Sequence, residues 1–300
     1  MDHAHTCAPP PFRKRRPLVF FLLLVMTLLA LANIALAVWS FLDNKGVFSG
    51  PRLGVVTVEG FIGDADRTVA WVEKLRKNSS VAGVLVRVNS PGGAVAPSQE
   101  LFSTLKRLAS EKPVVVSMGT VATSGGYYIA VAGKEIFANP STLTGSIGVR
   151  LQLTNVQELM ERIGVRSESF TTGKFKATGS PFQAMSEEER TYLQAVLDDM
   201  QDEFISIVAQ NRALPKDTVT ALADGRVFTG RQALASGLID HLGDKEAALN
   251  RLATLCNITA SPDLLQQPKQ EKPLWRSLLE MALSSNSGQA ADMLRYTFYY

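Results

Sequence analysis

The sequence predicts an α/β fold in which strands alternate with helices. Three runs rich in β-branched residues, at 53–62, 81–88 and 114–118, predict strands, and amphipathic stretches between them predict helices. The second run is almost continuously apolar, which is typical of a parallel sheet covered on both faces. Binding sites in such sheets form in the loops at the carboxyl ends of the strands. The loops after the second and third strands are therefore the first candidates for a site.

Helical periodicity and turn residues predict the remaining elements. Apolar residues at 69, 72 and 75 recur on one helix face and predict a helix over 66–77. Ser186 and Glu189 form a capping-box pattern, which predicts a long helix that ends near residue 212. Further helices are predicted over 97–110, 156–163, 215–223, 229–237 and 245–255, strands over 135–138 and 165–171, and a turn or strand over 143–149.

The N-terminal part of the chain predicts a membrane anchor. Four basic residues at 13–16 precede an almost unbroken apolar run over 18–42, slightly longer than the stretch of about 20 residues that spans a bilayer. The basic residues are expected to stay in the cytoplasm, so the chain after the run lies on the other side of the membrane. A cleaved signal peptide is the alternative, because residues 35–37 resemble a cleavage site, although the run is long for one.

Composition divides the chain into five parts. A basic, Pro-rich tail (1–17) and the transmembrane anchor (18–42) are followed by a linker (43–52) and a globular domain (53–260). The last segment, 261–300, is first polar and then aromatic, and we treat it as an appendage of unassigned role.

Charge and cysteine content exclude several classes of protein. The net charge is +3, and much of the excess lies in the N-terminal tail, so no nucleic-acid partner is expected. The two cysteines, Cys7 and Cys256, fall on opposite sides of the predicted membrane and are not expected to pair. Neither has the neighbours of a metal site, so the core alone is expected to stabilise the domain.

A serine follows the third predicted strand at the start of a short helix. Ser124 precedes Gly125 and Gly126. Unpaired N–H groups and the positive end of the helix dipole favour a developing negative charge at this position, so Ser124 is a candidate nucleophile. Serine is also a preferred N-cap residue, and an ordinary helix cap is the alternative.

A serine hydroxyl needs a base to remove its proton. His3 and His5 lie on the cytoplasmic side of the predicted anchor, which leaves His241 as the histidine candidate. A lysine can serve instead when burial lowers its pKa toward neutrality, and Lys174 and Lys176 occupy a turn after a predicted strand. Solvent exposure, the usual state of lysines, is the alternative for both.

Backbone N–H groups near the serine are candidates for an oxyanion hole. The Gly92-Gly93 turn and the Gly125 amide follow neighbouring predicted strands and therefore lie at the same edge of the sheet. A plain turn or a phosphate-binding loop is the alternative for the first turn. Its spacing matches neither a P-loop nor a dinucleotide fingerprint.

Six glycine-containing or site-bearing segments occur in this order along the chain: 89–93, 123–130, 144–149, 173–176, 179–182 and 225–233. Together they resemble the signal peptide peptidase A family, which consists of membrane-bound serine proteases. The resemblance covers about residues 53–250 and corresponds to the short form of the family, with one copy of the catalytic unit. It implies a Clp-protease/crotonase-like spiral fold of βαβ units.

The resemblance implies a role for each candidate residue. Ser124 corresponds to the nucleophile, Lys176 to the general base, and Ser146 to a serine that hydrogen-bonds to the lysine and orients it. Gly93 corresponds to the oxyanion hole, with the Gly125 amide as its partner. No cofactor or metal is implied.

The function implied by the resemblance is a membrane-anchored serine endopeptidase that degrades apolar peptides, such as cleaved signal peptides, through an acyl-enzyme. It also implies a ring-like homo-oligomer. With the predicted anchor, it implies a bacterial inner-membrane protein with a cytoplasmic N-terminus and a periplasmic domain. A crotonase-like acyl-CoA enzyme and a non-catalytic membrane scaffold are the alternatives, and labelling of Ser124 by a serine-reactive probe distinguishes them from a protease.

Overall fold

The computed structural model describes residues 17–44, 51–259 and 262–268. Its N-terminal part is one helix, α1 (Pro17–Asn44), which contains a 23-residue candidate membrane span, Leu18–Ser40, with a mean hydropathy of 2.7. By length and composition this helix is able to cross a bilayer. The basic residues at 13–16 and the middle of the predicted linker (43–52), residues 45–50, lie outside the described residues.

The globular part contains eight strands and eight further helices among the residues that the structure describes. The strands are β1 (Arg52–Glu59), β2 (Val81–Ser90), β3 (Val114–Thr123), β4 (Glu135–Ala138), β5 (Leu143–Gly145), β6 (Val227–Thr229), β7 (His241–Leu242) and β8 (Asp263–Gln266). The helices are α2 (Asp66–Lys77), α3 (Val95–Ala109), α4 (Gly125–Ala130), α5 (Gln157–Arg162), α6 (Glu187–Arg212), α7 (Lys216–Leu222), α8 (Gly230–Ala235) and α9 (Lys245–Leu255).

The strands form one mixed sheet with the order β6-β5-β3-β2-β1-β8. All neighbours are parallel except β5 and β6, and β4 joins the first half of β3 and carries β7 on its other side. Alternate residues of the central strands contact different helices, because successive side chains of a strand point to opposite faces. Leu85 and Val115 pack with Leu252 of α9, whereas Val86 and Val116 belong to the larger cluster with α2, α3, α4 and α6. The predicted α/β class is confirmed.

A bulge in β3 determines where this strand ends. Val88 of β2 lies opposite Met118, but Ser90 lies opposite Ala122, so β3 contains two extra residues between these pairs. The side-chain oxygen of Asn89 accepts hydrogen bonds from the Thr120 and Val121 amides, at 3.0 and 3.3 Å, and stabilises the bulge. Beyond it β3 pairs with β5 instead of β4. The strand predicted over 114–118 therefore continues through the bulge to Thr123.

Most predicted elements are present with small shifts of their ends. The helices predicted at 66–77 and 245–255 and the strand at 135–138 have the expected bounds. The predicted capping box is present at the start of α6, and a second one, formed by Thr229 and Gln232, is present at the start of α8.

Two predictions differ from the structure. The strand predicted over 165–171 is wrong: the segment is irregular and exposed, with Phe170 94% accessible, and no strand of the described chain pairs with it. The short strand β8 falls inside the segment 261–300 that was predicted as an appendage, yet it pairs in parallel with β1. The remainder of the predicted appendage, 269–300, lies outside the described residues.

Candidate active site

Ser124 connects β3 to α4 in a strained backbone conformation. Its φ and ψ are 56° and −122°, a combination that non-glycine residues avoid at a free-energy cost on the order of 1–3 kcal/mol. The Ser124 amide donates to the Gly145 carbonyl at 2.7 Å, and the Ser124 carbonyl accepts from the Tyr128 amide at 2.9 Å. Its side chain makes no capping hydrogen bond to α4 and is 6% exposed. The conformation is therefore not that of an ordinary N-cap serine.

The short helix α4 is anchored by two tyrosines. The buried Tyr127 hydroxyl donates to the Leu238 carbonyl at 2.8 Å, and burial raises the pKa of Tyr127. Tyr128 packs edge-to-face against Phe102 of α3 and Phe204 of α6, with ring centroids 5.1 and 5.0 Å apart. Because both neighbouring helices hold α4, the turn that carries Ser124 has a defined position.

The Gly92-Gly93 turn lies directly against Ser124, as the sequence predicts. Gly92 has a φ of +104°, and a Cβ built on it would be 2.9 Å from the Ser124 Cβ. Ile62 fixes the turn from the other side, because its amide donates to the Gly92 carbonyl at 3.0 Å and its carbonyl accepts from the Ala94 amide at 2.8 Å. The Gly93 nitrogen is 3.3 Å from the position of a Cβ built on Gly125. The Gly93 and Gly125 amides are therefore close together beside the serine.

Ser146 directly follows β5 and lies beside Ser124. Thr123 and Gly145 are paired across β3 and β5, so the residues that follow them, Ser124 and Ser146, emerge side by side. Ser146 also has a positive φ, 50°, and its amide donates to the Arg226 carbonyl at 2.9 Å.

Ser124 and Ser146 line a cavity of about 630 Å³. This volume is within the usual range for small-molecule and peptide-sized pockets. One face of α6 forms a wall of the cavity. The sequence did not predict this wall, because its only signal is four residues spaced by three or four positions, as on any helix face. The cavity-lining residues of α6 are Gln194, Leu197, Asp198 and Gln201.

The cavity wall is polar and carries charges of both signs. Hydrogen bonds from the Arg226 guanidinium lower the pKa of Asp224 to about 2, so Asp224 is ionised at neutral pH. The Asp198 carboxylate accepts a hydrogen bond from the side-chain amide of Gln194 at 2.7 Å, and Arg150 lies in the same wall. The chain thus provides hydrogen-bonding groups of several kinds around Ser124.

Lys176 lies apart from these residues in the single chain. It is exposed, sits in a turn where its amide donates to the Gly173 carbonyl at 3.0 Å, and does not line the described cavity. The neighbouring Lys174 forms an ion pair with Glu188. One chain therefore brings Ser124 and the other candidate site residues together but leaves Lys176 on the surface.

His241, the alternative base, lies on β7 and is separated from β3 by β4, where it is in register with Phe137 and, through Phe137, with Ser117. It contacts Glu135, with 3.1 Å between the His241 Nε2 and a carboxylate oxygen. Glu135 pairs in register with Val115, nine residues before Ser124 on β3, on the order of 25 Å away at the rise of a strand. Hydrogen bonds from Arg251, and then from His241, lower the pKa of Glu135. A Ser-His-Asp triad within this chain is not supported.

Comparison with known proteins identifies the family. The profile of Peptidase family S49 matches residues 106–259, about half of the 300-residue chain. The chain belongs to peptidase family S49. The match includes Ser124, Ser146 and Lys176, and Gly93 precedes it. The S49 assignment makes the protein a serine-type peptidase with a Clp-protease-like fold, which agrees with the mixed sheet.

Individual relatives support the S49 assignment. A Synechocystis sp. protein with the provisional name protease slr0021 is 39% identical over 228 residues, which are 76% of this chain and 82% of that protein. An Enterococcus faecium protein provisionally named signal peptide peptidase SppA is 37% identical over 182 residues, covering 60% and 53% of the two chains. Protease 4 of Salmonella typhi is 34% identical over 256 residues, or 82% of this chain and 40% of its own length.

Proposed function

We propose that this S49 peptidase is a membrane-anchored endopeptidase in which Ser124 is the nucleophile and Lys176 the general base. The observation that carries the proposal is the strained, buried Ser124, which opens into a cavity directly beside the Gly92-Gly93 turn. A serine on a sharp strand-to-helix turn with backbone amides next to it is the arrangement that acyl transfer requires.

The proposed reaction proceeds through an acyl-enzyme. Uncharged Lys176 accepts the proton of the Ser124 hydroxyl as its oxygen attacks the carbonyl carbon of a peptide bond. The Gly93 and Gly125 amides donate hydrogen bonds to the oxyanion, and the lysine ammonium returns the proton to the leaving amine. Water then attacks the ester with the same lysine as base. Ser146 orients the lysine in this scheme.

Lys176 has to approach Ser124 for this chemistry. Either the exposed segment that carries the lysine moves over the cavity, or a second copy of the chain supplies it. Exposed apolar side chains on α5 and the segment after it support association with another copy, because such surfaces are usually covered. These side chains belong to Leu159, Ile163, Val165, Phe170 and Phe182. Homo-oligomer formation is part of the proposal.

The proposed substrates are apolar peptides released at a membrane, such as cleaved signal peptides. Two features support this choice: the candidate span in α1 and the relative whose provisional name is signal peptide peptidase. The basic cluster before the span favours a cytoplasmic N-terminus and a catalytic domain on the periplasmic side of a bacterial inner membrane.

Substitution of the nucleophile tests the proposal. Ser124→Ala is expected to lower peptidase activity by at least a thousandfold, because no hydroxyl remains to form the ester. A fluorophosphonate probe should label the unmodified protein at Ser124 and leave Ser124→Ala unlabelled. Ser103→Ala, at an exposed serine of α3, is the control and should be labelled and active as before. Peptidase activity in Ser124→Ala close to that of the unmodified protein would reject the assignment.

A further inference from the structure

Gln201 of α6 has an unusual hydrogen-bonding state. Its side chain lines the cavity that contains Ser124, and its amide nitrogen donates to the Ala223 carbonyl at 2.7 Å. Its side-chain oxygen, Oε1, is out of contact with solvent and has no hydrogen-bond partner among the residues described. Buried polar atoms in folded proteins nearly always have a partner, so this oxygen needs an explanation.

The orientation of the Gln201 amide follows from its contact with Ala223. A carbonyl oxygen only accepts hydrogen bonds, so the amide nitrogen has to face Ala223 and the oxygen has to point away. Exchanging the amide nitrogen and Oε1 would place Oε1 against the Ala223 carbonyl oxygen, and a side-chain atom of Gln201 would still be without a hydrogen-bond partner. A Cβ built on Gly148 would be 4.0 Å from Oε1, so the unpartnered oxygen lies beside a glycine of the cavity wall.

A peptide substrate can supply the hydrogen-bond donor that Gln201 Oε1 lacks. Every residue of a peptide except proline carries a backbone N–H. A peptide bound with its scissile carbonyl at Ser124 passes through the cavity that Gln201 and Gly148 line. Because Oε1 is shielded from solvent, the wall around it has to move for a donor to reach it, and Gly148 beside it has no side chain to obstruct the approach.

We propose that Gln201 binds the substrate, and that its Oε1 accepts a hydrogen bond from one backbone N–H of the peptide in the cavity. This proposal rests on the proposed function, because it assumes that peptides bind beside Ser124. The hydrogen bond sets the register of the peptide relative to the nucleophile. It also makes proline unfavourable at the substrate position that faces Gln201.

Ester-containing peptides test this contact one N–H at a time. In a set of matched substrates, each amide other than the scissile bond is replaced by an ester, and kcat/KM is measured for the full-length protein. One ester is expected to lower kcat/KM about fivefold to tenfold, the usual contribution of one hydrogen bond. In Gln201→Met the amide substrate should lose a similar factor, and the same ester should cause no further loss. Gln210→Met, at an exposed glutamine of α6, is the control and should retain the unmodified pattern.

A second variant keeps the test informative if Gln201→Met does not fold. Gly148→Ala keeps the Gln201 contact with Ala223 and places a Cβ 4.0 Å from Oε1 with no close contact, so it should obstruct the donor and make the sensitive ester no worse than the others. Equal effects of every ester in the unmodified protein, or an ester pattern that is unchanged in Gln201→Met and in Gly148→Ala, would overturn the proposal. Failure of the proposed function gives a different result, because Ser124→Ala would then retain activity whatever the ester pattern.

Discussion

Two residues of the candidate site adopt backbone conformations that most residues avoid. Ser124 and Ser146 both have positive φ values, 56° and 50°, and they are the residues that follow a paired position of β3 and β5. Such strain persists only where the surrounding structure over-determines it, and it is concentrated at functional sites. Here the anchoring of α4 by two tyrosines and the tight contact with Gly92 hold Ser124 in place.

Gly92→Ala tests how closely the glycine turn has to approach the nucleophile. The new Cβ would lie 2.8 Å from the Gly125 amide nitrogen and 2.9 Å from the Ser124 Cβ, in addition to the strain of a φ of +104°. We expect a loss of about 3 kcal/mol in the free energy of unfolding, measured with urea, and little labelling of Ser124 by fluorophosphonate.

Gly60→Ala is the matched control for this change. Gly60 also has a positive φ, +72°, but nothing lies within 4 Å of its Cβ position, so only backbone strain of about 1 kcal/mol is expected. Its labelling should stay normal. If both alanine variants lose equal stability and keep full labelling, the turn is not in the tight contact described here.

Helix α6 has two roles in the fold, as a wall of the cavity and as a support for the sheet. Near its end, Arg212 binds both oxygens of Asp240, at 2.8 and 2.9 Å, and donates to the Gly237 carbonyl at 3.0 Å. Asp240 in turn accepts from the Ile136 amide of β4 at 2.8 Å. The Arg212 side chain is only 7% exposed and that of Asp240 is 29% exposed, so a partly buried ion pair links α6 to the sheet.

Arg212→Met is therefore expected to destabilise the domain by about 2–4 kcal/mol, since it leaves the partly buried Asp240 carboxylate without its partner. Arg190→Met is the control on the same helix. Arg190 is exposed and 3.6 Å from Glu187, and its replacement should change stability by less than about 1 kcal/mol. Urea unfolding measures both values. Equal effects of the two substitutions would show that the Arg212 pair does not hold α6 in place.

Elements with local signals were predictable from the sequence, and elements that depend on distant partners were not. The helix at 66–77 has a clear apolar face, and the start of α6 has a capping box. The segment 165–171 has strand-like composition, but no strand edge pairs with it in the part of the chain described. β8 is short and half polar, and its structure comes from pairing with β1, about 200 residues earlier.

The same distinction applies to the site. Ser124, Gly93 and Gly125 follow closely on the ends of β3 and β2, where the order of strands and helices predicts that they meet. Gln201 was not predictable, because its importance comes from a carbonyl at Ala223 and from the cavity, neither of which has a local signature.

At the scale of the whole molecule, the described chain brings most of the proposed catalytic groups together but leaves the proposed base apart from them. The serine, the glycine amides and Ser146 are together, whereas Lys176 is on the surface of an exposed segment. A peptidase whose base arrives only by movement of this segment or by assembly with another copy would be inactive as an isolated, open chain. We infer that activity depends on this step.

The rate at which fluorophosphonate labels Ser124 tests the central claim most directly, because it reports activation of the serine without any choice of substrate. We expect Lys176→Ala to lower this rate by at least a hundredfold, since no base is left to accept the proton. Lys174→Ala removes a lysine two positions away that is bound to Glu188, and it should be labelled at the unmodified rate. Labelling of Lys176→Ala as fast as the unmodified protein would contradict the Ser124–Lys176 dyad.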